Sequence, residues 1–351
     1  MKNVKENNKI EKKVLWTLFS LLLAILTVRA ITKMNGDMSM GHLINIISEA
    51  HKGWMLLGVL STILFVLLEG LSLRIILKSA GYPRGRKKGL IYSTSDVYFS
   101  AITPSATGGQ PASAFFMIRD GIPVGITAAV LILNLMMYTI SIVILGIVSI
   151  IIKPEILRGF GKYSLPLIYI GFACLTILAI IFILIFVNGD RFFRRLKIMV
   201  LFLYKKRIIK KPRKPMIWLM ENEKEYSSFT DLVRGNNRIV VRVLIINILQ
   251  RTSQILVPVF VYFALGGKKS HALIIFTKQC LITIAYNFIP IPGAMGISDY
   301  LMFDGFSRIM KEHMAYNVEL IARGITFYMC VAICGLITLV GYICGSKKNE
   351  N

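Results

Sequence analysis

An arginine set in the middle of an apolar run is the residue in this chain best placed to do chemistry. Arg251 lies in the run 239–264, about 18 Å from its start at about 1.5 Å per residue. A guanidinium at that depth in a bilayer costs about 2.5–3.5 kcal/mol on insertion scales, so it must face a polar interior. Its charge and planar donor fork suit a phosphate or a carboxylate. Asn247 and Gln254 share its helical face by i, i+4, i+7 spacing, and Pro258 continues that face and frees a carbonyl. Glu69, in the apolar run 54–77, is a candidate ion-pair partner for Arg251 or a titratable coupling group. Lys278 and Arg323 are further candidates for coupling or ion pairing. Arg323 stands at i+4 from Glu319, the spacing of a local salt bridge. A structural ion pair would explain Arg251 as well as a bound anion would, and both are carried forward.

Two broken apolar segments hold the other polar groups. The first reads Thr103-Pro104-Ser105-Ala106-Thr107-Gly108-Gly109-Gln110-Pro111-Ala112. The second reads Asn287-Phe288-Ile289-Pro290-Ile291-Pro292-Gly293-Ala294-Met295-Gly296-Ile297-Ser298-Asp299. Proline and glycine at this density stop a helix, because they remove N–H donors and add backbone freedom. In lipid, such breaks are tolerated where protein or a water-filled cavity satisfies the freed groups. Gly108-Gly109 opening onto a helix would present free N–H groups and the positive end of a dipole, which suit a phosphate. The candidate contacts are therefore Gly108, Gly109 and Gln110 in the first break, and Pro292, Gly293, Gly296 and Asp299 in the second.

The elements that position these residues follow from hydropathy and charge. The chain has 351 residues, of which 55% are apolar and 17% charged. Its runs are long enough to cross a bilayer, which takes about 20 residues. Six are read as full spans: 14–31, 54–77, 124–152, 164–187, 239–264 and 318–344. The broken segments, 91–118 and 271–310, are read as re-entrant hairpins. The fold class is an all-α polytopic membrane protein with six full spans plus two re-entrant helical hairpins. A basic N-terminus (1–13) precedes the transmembrane domain (14–345), which contains a basic loop (189–238), and a short tail (346–351) follows.

The net charge of +24 is concentrated beside the runs, where positive residues mark the cytoplasmic side. Eleven Lys and Arg residues lie between 191 and 214. With two re-entrant hairpins, every basic cluster falls on one side, and both termini are cytoplasmic. The layout span–hairpin–span then recurs with opposite orientation. That is an inverted-topology repeat, the plan of many secondary transporters, expected here from hydropathy and charge with no residue-level repeat discerned. The 189–238 loop is expected to meet an anionic membrane surface. It lacks the interleaved glycine and aromatic stacking motifs of nucleic-acid binders, so no nucleic acid partner is expected.

The chain carries no Walker loop, H-E-x-x-H or G-x-S-x-G, the signatures of phosphate, zinc and acyl chemistry. Its five cysteines and four histidines form no metal spacing. No catalytic residue, metal or cofactor is assigned.

The two breaks resemble the flippase-like membrane domain of the lysylphosphatidylglycerol synthase family. The match rests on Thr103-Pro104-Ser105, Gly108-Gly109-Gln110-Pro111-Ala112 and Pro290-Ile291-Pro292-Gly293-Ala294-Met295-Gly296 with Asp299, and it covers about 14–345. Ala294 stands where the family usually has a second glycine, and Asp299 where glutamate is common. The resemblance implies a lipid translocase of a bacterial cell (inner) membrane, taking an anionic or aminoacylated phospholipid or another polar-headed lipid. Full-length members add a soluble domain that moves lysine from lysyl-tRNA to phosphatidylglycerol. No such domain is expected in the seven residues after Cys344. Two alternatives stay open. One is a phosphatidylglycerol lysyltransferase, or its membrane subunit working with a separate aminoacyltransferase, which would contribute to cationic antimicrobial peptide resistance. The other is a non-transporting membrane scaffold. A homo-oligomer is compatible with each.

Overall fold

The computed structural model describes residues 46–206 and 212–346. Of the first unit, Met1–Ala50, only residues 46–50 are described, so the expected span 14–31 lies outside the described residues, as does nearly all of the tail. The second unit, His51–Asn351, is built from helices, with no strand among the described residues. Five helical stretches are long and apolar enough to cross a membrane: Lys52–Ser79, Val124–Ile152, Ser164–Val187, Asn237–Ala264 and Glu312–Gly345. They match five of the six runs read from hydropathy. The chain is thus a multi-pass, all-helical membrane protein.

The helices are α1 (Lys52–Ser79), α2 (Arg86–Ile102), α3 (Gly109–Arg119), α4 (Val124–Ile152), α5 (Ser164–Val187), α6 (Gly189–Lys205), α7 (Arg213–Arg234), α8 (Asn237–Ile255), α9 (Val257–Ala264), α10 (Ala272–Asn287), α11 (Ile297–Ser307), α12 (Glu312–Arg323) and α13 (Cys330–Ser346). Helices α8 and α9 are two parts of one span. They separate where Pro258 offers no N–H to the carbonyl of Gln254. A π-helical turn, Gly324–Met329, joins α12 to α13.

At the two extremes, burial runs opposite to hydropathy. The most apolar span, α5, is 22% buried in its most apolar window, while α8–α9, the least apolar, is 56% buried. Lipid tails solvate leucine as well as a protein core does, so polar residues draw a span into the bundle. This places the Arg251 span at the centre, packed on α1, α4 and α10.

Both broken segments fold back on themselves. Helix α2 packs on α3, and α10 on α11. At 11 residues, α3 and α11 each extend about 16 Å, too short for a hydrocarbon core of about 30 Å. The breaks share a backbone form that carries a residue pattern unnoticed in the sequence, Pro-x-Ala-x-Gly. It reads Pro104 to Gly108 and again Pro292 to Gly296. Each begins with an extended residue, Thr103 or Ile291, and makes a 3-10 turn, Pro104–Ala106 or Pro292–Ala294. Ala106 (φ 53°) and Ala294 (φ 50°) are the two non-glycine residues with positive φ among those described. That conformation costs about 1–2 kcal/mol for an L-residue. The two turns touch each other, so the breaks meet at one place.

Close approach holds each hairpin shut. A Cβ on Gly109 would lie 2.0 Å from Ser100 Oγ and 2.1 Å from Asp96 Oδ1, so the α2–α3 contact admits only glycine there. At its open end Asp120 accepts hydrogen bonds from Lys88 Nζ (2.5 Å) and the Tyr92 hydroxyl (2.6 Å). In the second hairpin, Asp304 accepts from the Gly161 N–H (2.7 Å) and Ser164 Oγ (2.6 Å). Lys278 donates to the carbonyls of Gly159 and Gly305 and lies 4.7 Å from the Phe160 ring centroid. It therefore ties the α4–α5 turn to the hairpin.

Within the segment 189–238, expected as a loop, the described residues form helices α6 and α7. Phe193 and Val200 of α6 are buried in one core with Leu219, Tyr226, Phe229 and Val233 of α7. Helical spacing of those apolar side chains buries a face that the basic composition masks.

Two outcomes are expected from this packing. Lys278→Met leaves two carbonyls without their donor, which costs about 1–3 kcal/mol each; thermal unfolding in detergent should shift down by several degrees. Gly109→Ala should force α2 and α3 apart, and the monodisperse fraction on size-exclusion chromatography should fall well below that of the unaltered protein.

Candidate functional site

Where the two turns meet, the bundle lines a partly open cavity of about 490 Å³. That is within the ~300–1,000 Å³ of typical ligand pockets. Both positive-φ alanines, Ala106 and Ala294, line it, with α1, α2, α4, α5, α8, α10 and the π turn forming the walls. The strained backbone is thus at the wall of the cavity, where strain commonly accompanies function.

Arg251 lies on this wall and is 5% exposed. Its Nη1 donates to Gln254 Oε1 at 3.0 Å. Its guanidinium carbon is 3.9 Å from the Tyr138 ring centroid and 4.6 Å from that of Phe65. Such ring faces attract a desolvated cation by about 2 kcal/mol. Its Nε has no hydrogen-bond partner. Among the described residues no carboxylate oxygen lies within 4.0 Å of it.

The expected Arg251–Glu69 pair is therefore absent. Glu69 also lines the cavity, but its carboxylate is held by amides. Asn134 Nδ2 donates to Oε1 at 2.6 Å, and Gln250 Nε2 donates to Oε2. Ser72 Oγ donates to Asn134 Oδ1 at 2.6 Å, and Asn247 Nδ2 donates to Ser72 Oγ at 3.1 Å. Asn247 is fully buried in this network and is not on the cavity wall. Side chains of α1, α4 and α8 are locked together without a cation, because amides can donate in chains where a carboxylate only accepts.

The second break is closed by Arg323. Its Nε lies 2.7 Å from Asp299 Oδ1, and its Nη2 donates to the Gly293 carbonyl at 3.0 Å. The expected local pair with Glu319 does not form within 4.0 Å. Arg323 reaches across to the break because unsatisfied backbone there is the stronger demand. Asp299 Oδ2 also accepts the Gly296 N–H at 2.9 Å, and Gly296 holds φ 80°.

Of the glycine N–H groups expected to receive a phosphate, that of Gly108 is used internally. Thr103 Oγ1 accepts the Gly108 N–H at 2.8 Å, as Asp299 does for Gly296. Of the residues named from sequence, Arg251, Gln254, Gln110, Gly293, Glu69 and Arg323 reach the cavity. Gly108, Gly109, Pro292, Gly296 and Asp299 shape the turns behind it, and Lys278 lies elsewhere.

Sequence reasoning missed Asp96. It lines the cavity, accepts Gln110 Nε2 at 3.1 Å and Ser100 Oγ at 3.3 Å, and lies within electrostatic range of Glu69 and Arg251. It is the one charged residue in 91–118, a signal that was available. Asn134, the sole amide in 124–152, was also legible. Tyr138, which accepts from Asn287 Nδ2 at 2.9 Å, and Gln279 were not. The buried oxygens Gln110 Oε1 and Gln279 Oε1 have no partner. With Arg251 Nε they offer both donor and acceptor capacity to whatever fills the cavity. Among the described residues no group of three or more His, Cys, Asp or Glu is placed to hold a metal ion.

The cavity thus combines a cation with no carboxylate oxygen within 4.0 Å among the described residues, two carboxylates held by neutral donors and apolar walls, all at the junction of two broken helices inside a membrane bundle. No curated protein matches the chain. The family described as the lysylphosphatidylglycerol synthase TM region matches residues 14–334. This stretch takes in every span described above except the end of the last, and the chain belongs to that family.

Proposed function

We propose that this protein moves a polar-headed lipid across the membrane, with the headgroup passing through the cavity between the two breaks. The observation that carries this is Arg251, a buried guanidinium on the cavity wall whose Nε has no partner, and which has no carboxylate within 4.0 Å, among the described residues. A structural arginine would be paired, because an uncompensated buried charge costs several kcal/mol. A lipid phosphate supplies that charge only while the lipid is bound. Asp96 has neutral donors alone and is free to meet an ammonium. The pairing of one cation with a carboxylate across a single cavity favours a phospholipid that carries an amine, such as an aminoacylated one, over a purely anionic lipid.

The transport reading brings with it a topology. The hairpins α2–α3 and α10–α11 are re-entrant from opposite faces, so that the two Pro-x-Ala-x-Gly turns meet near the midplane. The units α1 to α4 and α8 to α13 form an inverted repeat about that point. The basic side is cytoplasmic, in a bacterial inner membrane. The family's name keeps a second role in view, as a membrane subunit for lysyl transfer. Formation of lysyl-lipid by the purified chain with lysyl-tRNA and phosphatidylglycerol would favour that role over transport.

The function is tested in proteoliposomes by following an amine-bearing phospholipid with an impermeant amine reagent. The unaltered protein should expose inner-leaflet lipid to the reagent, and a rate equal to empty vesicles would reject the proposal. Arg251→Lys should keep membrane expression and lower the rate about 10- to 100-fold, the loss of about 1.5–3 kcal/mol of bidentate bonding. The double change Arg251→Gln with Glu69→Gln should not restore transport, since the two side chains are not partners. Full transport in that double variant would make Arg251 structural. For the topology, single cysteines are introduced after replacing the five native ones. Those at 85–89 and 205–214 should resist impermeant thiol reagents in intact cells, and those at 268–270 should react. External labelling at 205–214 would end the re-entrant scheme.

A further inference from the structure

The α6–α7 hairpin has an exposed apolar tip. Met199 and Phe202 of α6 and Trp218 of α7 are each half exposed or more. Farther from the tip the two helices are joined side chain to side chain. Lys197 pairs with Glu223, and the Phe193 and Tyr226 rings meet at 5.5 Å between centroids. Extending that antiparallel register brings Phe202 level with Trp218, so both helices contribute to one patch. Around it in the described chain stand Lys205, Lys206, Arg213 and Lys214, all exposed.

The place of this patch is set by the spans. Helix α6 begins two residues after α5 ends, and α8 begins three residues after α7 ends, so the hairpin starts and finishes at the membrane surface. Its middle is pinned there. The Tyr226 hydroxyl donates to the Ile185 carbonyl at 3.2 Å, near the end of α5, and Glu225 Oε2 accepts the Gly125 N–H at 3.0 Å, at the start of α4. Helix α7 therefore lies against the ends of two spans instead of standing away from them. Large apolar side chains exposed side by side are rare on a water-facing surface, and these three lie outside the spans, where lipid tails do not reach unless the tip enters the bilayer.

We propose that the α6–α7 tip is an interfacial docking surface whose occupant is the anionic face of the bilayer. The aromatic and methionine side chains enter the headgroup–acyl boundary, as on in-plane amphipathic helices. The basic collar selects anionic headgroups, each Lys or Arg adding attraction at the surface. This surface is separate from the cavity and does not depend on transport.

The test uses Trp218 as the probe. Trp16 and Trp54, the other two tryptophans, are changed to Phe. The full chain is reconstituted in vesicles of phosphatidylcholine with or without phosphatidylglycerol, one of the two lipids carrying brominated chains. Trp218 should be quenched by brominated chains and shielded from aqueous iodide. Brominated phosphatidylglycerol should quench about twofold more than brominated phosphatidylcholine at equal mole fraction. The ratio should fall to one when Lys205, Lys206, Arg213 and Lys214 are all changed to Gln. The preference is read on the unaltered collar, so it stands even if that variant fails to fold. Free quenching by iodide without quenching by brominated lipid would overturn the proposal. Protection from both quenchers would overturn it too, since a second copy or another protein would then cover the tip. Equal quenching by both lipids would overturn the selection of anionic lipid.

Discussion

Backbone groups freed at residues 103–108 and 288–296 must find partners within a bundle of apolar helices, and that constraint organises the rest of it. Each N–H left unpaired there would cost several kcal/mol. The first break uses Thr103 to hold the Gly108 N–H. The second uses Asp299 on the Gly296 N–H and Arg323 on the Gly293 carbonyl. Having spent these donors on themselves, the turns leave recognition to side chains behind and around them. The cavity is then a consequence of two broken helices touching, because neither can fill the volume at its own bend.

Arginine and carboxylates survive beside that cavity by different means. Arg251 is spread over two aromatic faces and one amide oxygen, which soften its desolvation without neutralising it. Glu69 sits at the end of an amide and hydroxyl chain that runs from Asn247 through Ser72 and Asn134. A direct Arg251–Glu69 pair would have quenched both charges. Keeping them apart leaves the cavity with charge to offer, and rigid neutral networks hold each group where it is.

The same economy of partners explains the packing order. The span richest in polar residues is the most buried, and the most apolar span faces lipid. At the basic side, α6 and α7 bury aromatic side chains against each other and leave an apolar tip exposed beside lysines and arginines. A strongly basic segment can therefore carry a real core, since helical spacing sorts charge and apolar surface onto different faces.

Much of the fold was legible because hydropathy and charge are local. Five spans, both breaks and the depth of Arg251 follow from runs of residue types that any bilayer would read the same way. The Pro-x-Ala-x-Gly repeat and the lone charge of Asp96 were equally present in the chain, but short patterns stand out only when the backbone gives them a shared shape. Partner choice was not legible. Glu69 meets Asn134 and Gln250 from 65 and 181 residues away, and Arg323 passes over the i−4 glutamate for a break 30 residues earlier. Spacing along one helix ranks near neighbours first. Tertiary structure decides by which unsatisfied group within reach is most costly to leave alone, and in hydrocarbon that is the broken backbone.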